Sequence, residues 1–374
     1  MSYENEISFK LAHGELTELI FDEFCYGDPF TVDDSVDLSD IETANTLNDR
    51  PIFLEGVIRR FSDMGLHFTL SDTEALIDEI KKRYKARMGK KCPRTVVEWF
   101  RGTPPGVTNR RNNYELCYAL EMNLQETAEF FQKCFLTIPF NYKDASDAVF
   151  FYCLLKNRDY AIISSMLEAV EAVNESTAGE TETQIHARNI LSISDDAVFL
   201  EYLKKHCYSD SQQYKTAKRK ISALIAEHQV GSLADLHANL VGFKYQSIKK
   251  EKWVNTHKLP KRFTESLPMD GSFDKIIKGE TVSYEVLRKA LIIMLLFDSF
   301  GETPATEDPD DIDARMHDFF EETNVELAQC GFAQLYPRHP FDWLIMFCAN
   351  SSDPMESFRL ICENWYKAPE TVLV

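Results

Sequence analysis

Residues 71–102 read SDTEALIDEIKKRYKARMGKKCPRTVVEWFRG, and this stretch decides both the fold class and the charge pattern. Leu76, Ile77, Ile80 and Tyr84 recur at helical spacing, with Ser71 or Asp72 available as N-cap and Gly89 as the stop. A second short helix is predicted from Pro93, a residue suited to the first helical position, through Trp99 and Phe100 to the breaker Gly102-Thr103-Pro104-Pro105-Gly106. Working outward, an apolar helix is predicted around Tyr114 to Leu120. Asn123 with Glu126 three residues on then predicts a capping-box start for a helix reaching about Cys134. Short, closely connected helices of this kind define an all-α protein.

The chain has 374 residues, enough for two or three domains with a sizeable core. Apolar residues make up 44% and charged residues 27%, which excludes collagenous and wholly disordered chains. The longest apolar run, Ala290 to Phe297, is eight residues, against the roughly 20 a bilayer requires, so no membrane partner is expected. The acidic N-terminus lacks a signal-peptide layout, and the expected location is the cytoplasm. Nine scattered cysteines without a C-x-x-C pair read as reduced, mostly core thiols.

The formal net charge is −19, yet residues 80–111 hold eleven basic side chains against the single acid Glu98. A polyanion would be repelled by an even spread of that negative charge and is instead offered one basic quarter. Residues 1–50 hold thirteen acids against Lys10 and Arg50 and read as an acidic arm.

An internal repeat organises the rest. Thr127, Cys134, Asp147 and Cys153 have counterparts in Thr323, Cys330, Asp342 and Cys348, with Thr to Cys seven residues in both. Trp99-Phe100-Arg101-Gly102 likewise matches Ile276-Ile277-Lys278-Gly279. The expected organisation is therefore two diverged copies of one multi-helix unit. An acidic N-terminal arm with a helix covers 1–64 and a first unit 65–160. A linker with connecting helices covers 161–224, within which Glu171 to Thr183 looks flexible. A second unit covers 225–374, with an acidic insertion at 301–322 that reads as a solvated segment.

Arg94 to Gly102, the Pro pair after it and the helix from Tyr114 to Met122 resemble the helix-turn-helix of phage-repressor-type (XRE-like) DNA-binding proteins, over about residues 72–122. Gly89 and Gly102 lie thirteen positions apart, so the helix pair is either Asp72 to Met88 plus Pro93 to Phe100, or the module is degenerate. The resemblance implies that Arg94 and Thr95 face base edges, that Lys90, Lys91 and Arg101 touch phosphates, and that Val96 and Trp99 are core. The residues themselves add Lys81, Lys82, Arg83, Lys85 and Arg87, either as phosphate contacts or as the solvated face of a helix. Arg110 and Arg111, read as a turn before the Tyr114 helix, either grip a phosphate or form a polar turn. Lys244 to Lys252, interleaved with Phe243, Tyr245 and Trp253, form either a stacking surface for single strands or part of a core.

Catalytic patterns are missing: there is no phosphate-cradling G-x-x-x-x-G-K-[ST], no G-x-G-x-x-G, no G-x-S-x-G and no H-E-x-x-H. Asp308, Asp310, Asp311 and Asp313 lack the glycine of a calcium loop and are interrupted by Pro309. His206 and His339 have no partner at ligand spacing. His339 and Pro340 instead read as the start of a helix with Trp343, Leu344 and Phe347 as its buried stripe. No catalytic residue, metal or cofactor is expected. The expected function is a nucleic-acid-binding regulator, with DNA ahead of RNA as partner. In that reading the acidic arm or the insertion is expected to compete for the basic face in the free protein, and the alternative is a non-catalytic adaptor or inhibitor that meets a protein partner through its acidic surface.

Overall fold

The computed structural model describes residues 52–103, 105, 110–171, 183–206, 214–228, 268, 270–336 and 339–358. The described residues form helices joined by turns, with no strand among them. The chain divides into two compact units, one including Pro51–Gln213 and the other Tyr214–Val374.

In the first unit α1 spans Ile52–Asp63, α2 Thr73–Met88, α3 Arg94–Phe100, α4 Arg110–Ala119 and α5 Leu124–Phe130. A π-helical turn at Phe131–Phe135 extends α5 before α6 (Ala145–Leu155), α7 (Tyr160–Glu171), α8 (Thr183–Ser192) and α9 (Asp196–His206). The α2 face buries Leu76, Ile77, Ile80 and Tyr84, as their spacing predicts, and Gly89 closes the helix at φ 66°. Pro93 sits at the N-cap in extended conformation, so α3 begins one residue later than predicted, at Arg94. The capping box forms: the Asn123 side chain accepts from Glu126 N at 2.9 Å, and Glu126 Oε2 accepts from Asn123 N at 2.8 Å. Phe53, Trp99, Phe130 and Phe135 meet ring to ring, binding α1 and α3 to the π turn. Gly56 permits this approach, since a Cβ there would lie 2.2 Å from Cys134 Sγ.

The segment 161–224, expected to be a linker with connecting helices, contributes helices to the core of the first unit. Ile163, Met166, Leu167, Ile190, Phe199 and Leu203 belong to the core of the first unit, with Phe199 stacked on Tyr152. The part of that segment read as flexible, Glu171 to Thr183, lies for the most part outside the described residues, as do the acidic arm and residues 243–253.

The second unit comprises α10 (Lys215–Glu227), α11 (Asp270–Ile277), α12 (Tyr284–Phe300), α13 (Pro309–Cys330) and α14 (Pro340–Ala349). α12 is buried from Leu287 to Leu296 and forms the centre of the unit. The acidic stretch 301–322 is a correction to the sequence reading: from Pro309 it forms the larger part of a 22-residue helix that buries Met316, Phe319 and Phe320. Asp308 caps that helix, accepting from Asp310 N at 3.1 Å, and Asp311 pairs with Arg315, so these carboxylates serve a helix start. His339 caps α14 and Pro340 opens it, as read from sequence.

A buried arginine–aspartate clamp holds each unit together. In the first, Arg110 Nε donates to Asp147 Oδ2 at 2.7 Å, and its Nη2 donates to the carbonyls of Ile138 and Pro139. Asn141 N donates to the same Asp147 oxygen at 2.9 Å. In the second, Arg288 Nη1 and Nη2 donate to the two Asp342 oxygens at 2.7 Å, while its Nε and Nη2 reach the carbonyls of Ala333 and Gln334. Tyr336 N donates to Asp342 Oδ2 at 3.0 Å. Burial opposes both guanidinium charges, but the facing aspartates more than offset it and raise both arginine pKa values. Burial also opposes the Asp342 charge, and Arg288 with His339 still holds its carboxyl below the usual range.

Removing one partner strands a buried charge, so Asp147→Ala and Asp342→Ala are each expected to cost about 3–5 kcal/mol. Arg110→Met/Asp147→Leu should recover much of that loss in thermal melts. A double variant no better than Asp147→Ala contradicts this account. A second expectation concerns Asp144, which caps α6 through Asp147 N; burial, with Asp147 adding to it, pushes its carboxyl up to about 6. A carboxyl raised in the folded chain costs stability as pH climbs from its ordinary value toward the folded one. Asp144→Asn keeps the capping oxygen and loses the titration. The variant should out-melt wild type at pH 7 but not at pH 4; an equal difference at both contradicts the assignment.

Candidate nucleic-acid interface

α2 and α3 are joined by five residues, Gly89 to Pro93, and both turn their apolar faces inward. Val96, Trp99 and Phe100 anchor α3 beneath the surface. Its first turn is left outside: Arg94 has 93% of its side chain exposed, and Thr95 beside it is exposed as well.

The twelve sequence-predicted residues separate by environment. Lys81, Lys82, Lys85, Lys91, Arg94 and Thr95 stand at the surface. Lys81 and Lys82 reach only neighbours on their own helix, Asp78 at 3.1 Å and Glu79 at 3.5 Å. Arg94 lies 3.9 Å from Glu98. Exposed pairs of this kind contribute about 0–1 kcal/mol, little enough to exchange for a phosphate. Lys85 and Lys91 have no ion-pair partner among the described residues. Arg87 and Arg101 are exposed as well, each beside a carboxylate of another element, Arg87 lying 3.7 Å from Glu121 and Arg101 3.2 Å from Glu74.

Arg83, Lys90, Arg110 and Arg111 are engaged within the fold. Arg83 donates to Glu79 at 2.9 Å and to Glu121 at 3.0 Å. Lys90 and Arg111 converge on Glu115, a carboxylate with 1% exposure, at 2.5 and 3.2 Å. Tyr160 Oη donates to the same oxygen. Arg110 and Arg111 occupy the first described turn of α4, not a turn ahead of it, and the Arg110 guanidinium meets Asp147. Arg110 is spent on the clamp, with each of its nitrogens within hydrogen-bond distance of an acceptor in the unit.

Sequence reasoning did not single out Glu115, Glu121 or Asp147 as partners of these cations. Glu115 follows Arg111 by four residues on one helix, a spacing that marks a pair. Glu121 and Asp147 are distant in sequence from the arginines they meet. Burial pushes the Cys92 thiol, in the turn between α2 and α3, up to about 11, so this cysteine is a packing residue. Among the described residues no three His, Cys, Asp or Glu side chains gather as metal ligands. None of their helices is long and apolar enough to cross a membrane. No protein-family model, no curated protein and no solved structure matches the chain.

Proposed function

We propose that the chain is a nucleic-acid-binding regulatory protein, with DNA ahead of RNA as its ligand, and that α2 and α3 form a helix-turn-helix-like contact surface. The observation that carries this reading is the outward first turn of α3, where Arg94 and Thr95 are exposed on a helix fixed from below by Val96, Trp99 and Phe100. Lys81, Lys82, Lys85 and Lys91 supply the phosphate attraction, and Arg94 with Thr95 supplies limited base reading. The two units are, in this reading, diverged copies of one scaffold. Each sets an arginine against an aspartate in the first turn of a later helix, and each carboxylate also accepts a backbone N–H from six residues upstream. The second copy is longer between its arginine and Thr323, where the start of α13 lies.

The alternative, an adaptor for a protein partner, is favoured by a different observation: Arg83, Lys90, Arg110 and Arg111 are held by the unit's own carboxylates.

A fluorescence-anisotropy titration of a labelled duplex between 50 and 200 mM salt separates the two. Each phosphate neutralised contributes about 0.9 to the slope of log K against log salt. Lys81→Ala/Lys82→Ala/Lys85→Ala should weaken binding and flatten the slope by about 2–3. Absence of binding by wild type at 50 mM salt overturns the nucleic-acid reading and leaves the adaptor.

A further inference from the structure

Glu121 follows α4 with φ 55°, a left-handed backbone that a side chain of this kind adopts at a cost of about 1–2 kcal/mol. Arg60 fixes the conformation from α1, donating to Leu120 O at 2.9 Å, to Glu121 O at 2.6 Å and to Glu126 Oε1 at 2.7 Å. A glycine or asparagine would satisfy the backbone more easily. What the glutamate adds is a carboxylate laid against α2, with Oε1 3.0 Å from Arg83 Nη1 and Oε2 3.7 Å from Arg87 Nη1.

Arg83 and Arg87 stand one turn apart on the same edge of α2, so their like charges repel unless an anion lies between them. Each guanidinium sits over an aromatic ring, Arg83 over Phe61 at 5.3 Å and Arg87 over Tyr118 at 5.4 Å. The rings hold both cations in place whichever anion they face. Around α2, at 100° per residue, Lys82 falls between the Lys81 and Lys85 row and the Arg83 and Arg87 row. The arginine pair therefore continues the lysine surface. Glu121 and Arg87 are each 43% exposed, so solvent and a larger anion have access to the contact.

We propose that Arg83 and Arg87 form a further phosphate position, filled in the free protein by the Glu121 carboxylate, which a nucleic-acid backbone displaces on binding. This rests on the nucleic-acid reading above. Glu79 keeps a hold on Arg83, so the cation released in full is Arg87. A phosphate offers the same planar fork the oxygens that the carboxylate now supplies. Glu121 thus lowers the affinity of the resting protein and makes its binding less steep in salt than its exposed charge would give.

The test uses the full chain and the same labelled duplex. Glu121→Gln should bind roughly tenfold more tightly at 0.1 M salt and steepen the salt slope by about 1, the increment expected for one added phosphate contact. Glu121→Asn, which suits the left-handed backbone, should do the same and covers the case in which the glutamine variant folds poorly. Adding Arg87→Ala to Glu121→Gln should return the slope to the wild-type value. Glu168→Gln on α7 changes net charge equally at a side chain bonded to Ser164, and should leave the slope unchanged. If Glu121→Gln behaves as Glu168→Gln does, while the triple lysine variant still loses affinity, the displacement idea falls and the nucleic-acid reading survives. If neither wild type nor the Glu121 variants bind, both fall.

Discussion

Each unit closes around an arginine–aspartate pair; in the second it has almost no contact with water, and in the first the aspartate is buried while Arg110 keeps a fifth of its side chain exposed. Arg288 is 2% exposed and Asp342 fully buried, and an isolated charge of either sign in such a place is prohibitive. The pair is tolerated because much of the remaining capacity of both groups is used: the guanidinium takes two loop carbonyls, and the carboxylate takes a loop amide. The consequence is geometric. A loop that would otherwise have no regular partner is stitched to two helices, so α12 and α14 hold a fixed spacing, and α4 and α6 do likewise around Arg110 and Asp147. The aromatic packing between α1, α3 and the π turn then has a rigid frame to close upon.

That frame decides which basic residues remain for a ligand. Arg110 enters the clamp from the first turn of α4, and Arg111 beside it lies one turn from Glu115. Glu115 in turn collects Lys90 and Tyr160, tying the exit of α2 to α4 and α7. The cluster of eleven cations along residues 80–111 is thus partly an internal device of the fold.

Local signals were legible in the sequence. The stripe Leu76, Ile77, Ile80 and Tyr84, the stop at Gly89, the Asn123–Glu126 box and the Pro340 helix start each depend on residues within a few positions of one another. What sequence reasoning missed depended on distant partners. Arg110 meets a residue 37 positions away, so nothing near it announced a helix start. The helices α8 and α9 read only as connecting helices beside a linker, because their sequences do not show which core they join. They are secured by a few residues, such as Ile190 and Phe199, that find the core of the first unit. The acids of 301–322 hid a helix for a related reason: Asp308, Asp310 and Asp311 favour a helix N-terminus, where the backbone dipole welcomes negative charge, as much as they favour solvent.

The division between tied and exposed cations follows side-chain chemistry. In the basic segment Arg83, Arg110 and Arg111 are paired within the fold, while Lys81, Lys82, Lys85 and Lys91 stay at the surface. A guanidinium is planar, weakly hydrated and presents a fork that fits carboxylates and carbonyls, so it gives up little on entering the structure. An ammonium is compact and strongly hydrated, and it keeps its water unless a buried carboxylate such as Glu115 draws it in, as happens to Lys90. Arg87, Arg94 and Arg101 depart from the rule, and Arg94 departs furthest, with 93% of its side chain in solvent and its nearest carboxylate 3.9 Å away. A residue able to make two parallel hydrogen bonds has been left unspent at the start of a seven-residue helix. Under the function proposed above, that is the property direct reading of a base edge requires, and it distinguishes Arg94 from the lysines around it, whose ammonium groups would attract a backbone without regard to sequence.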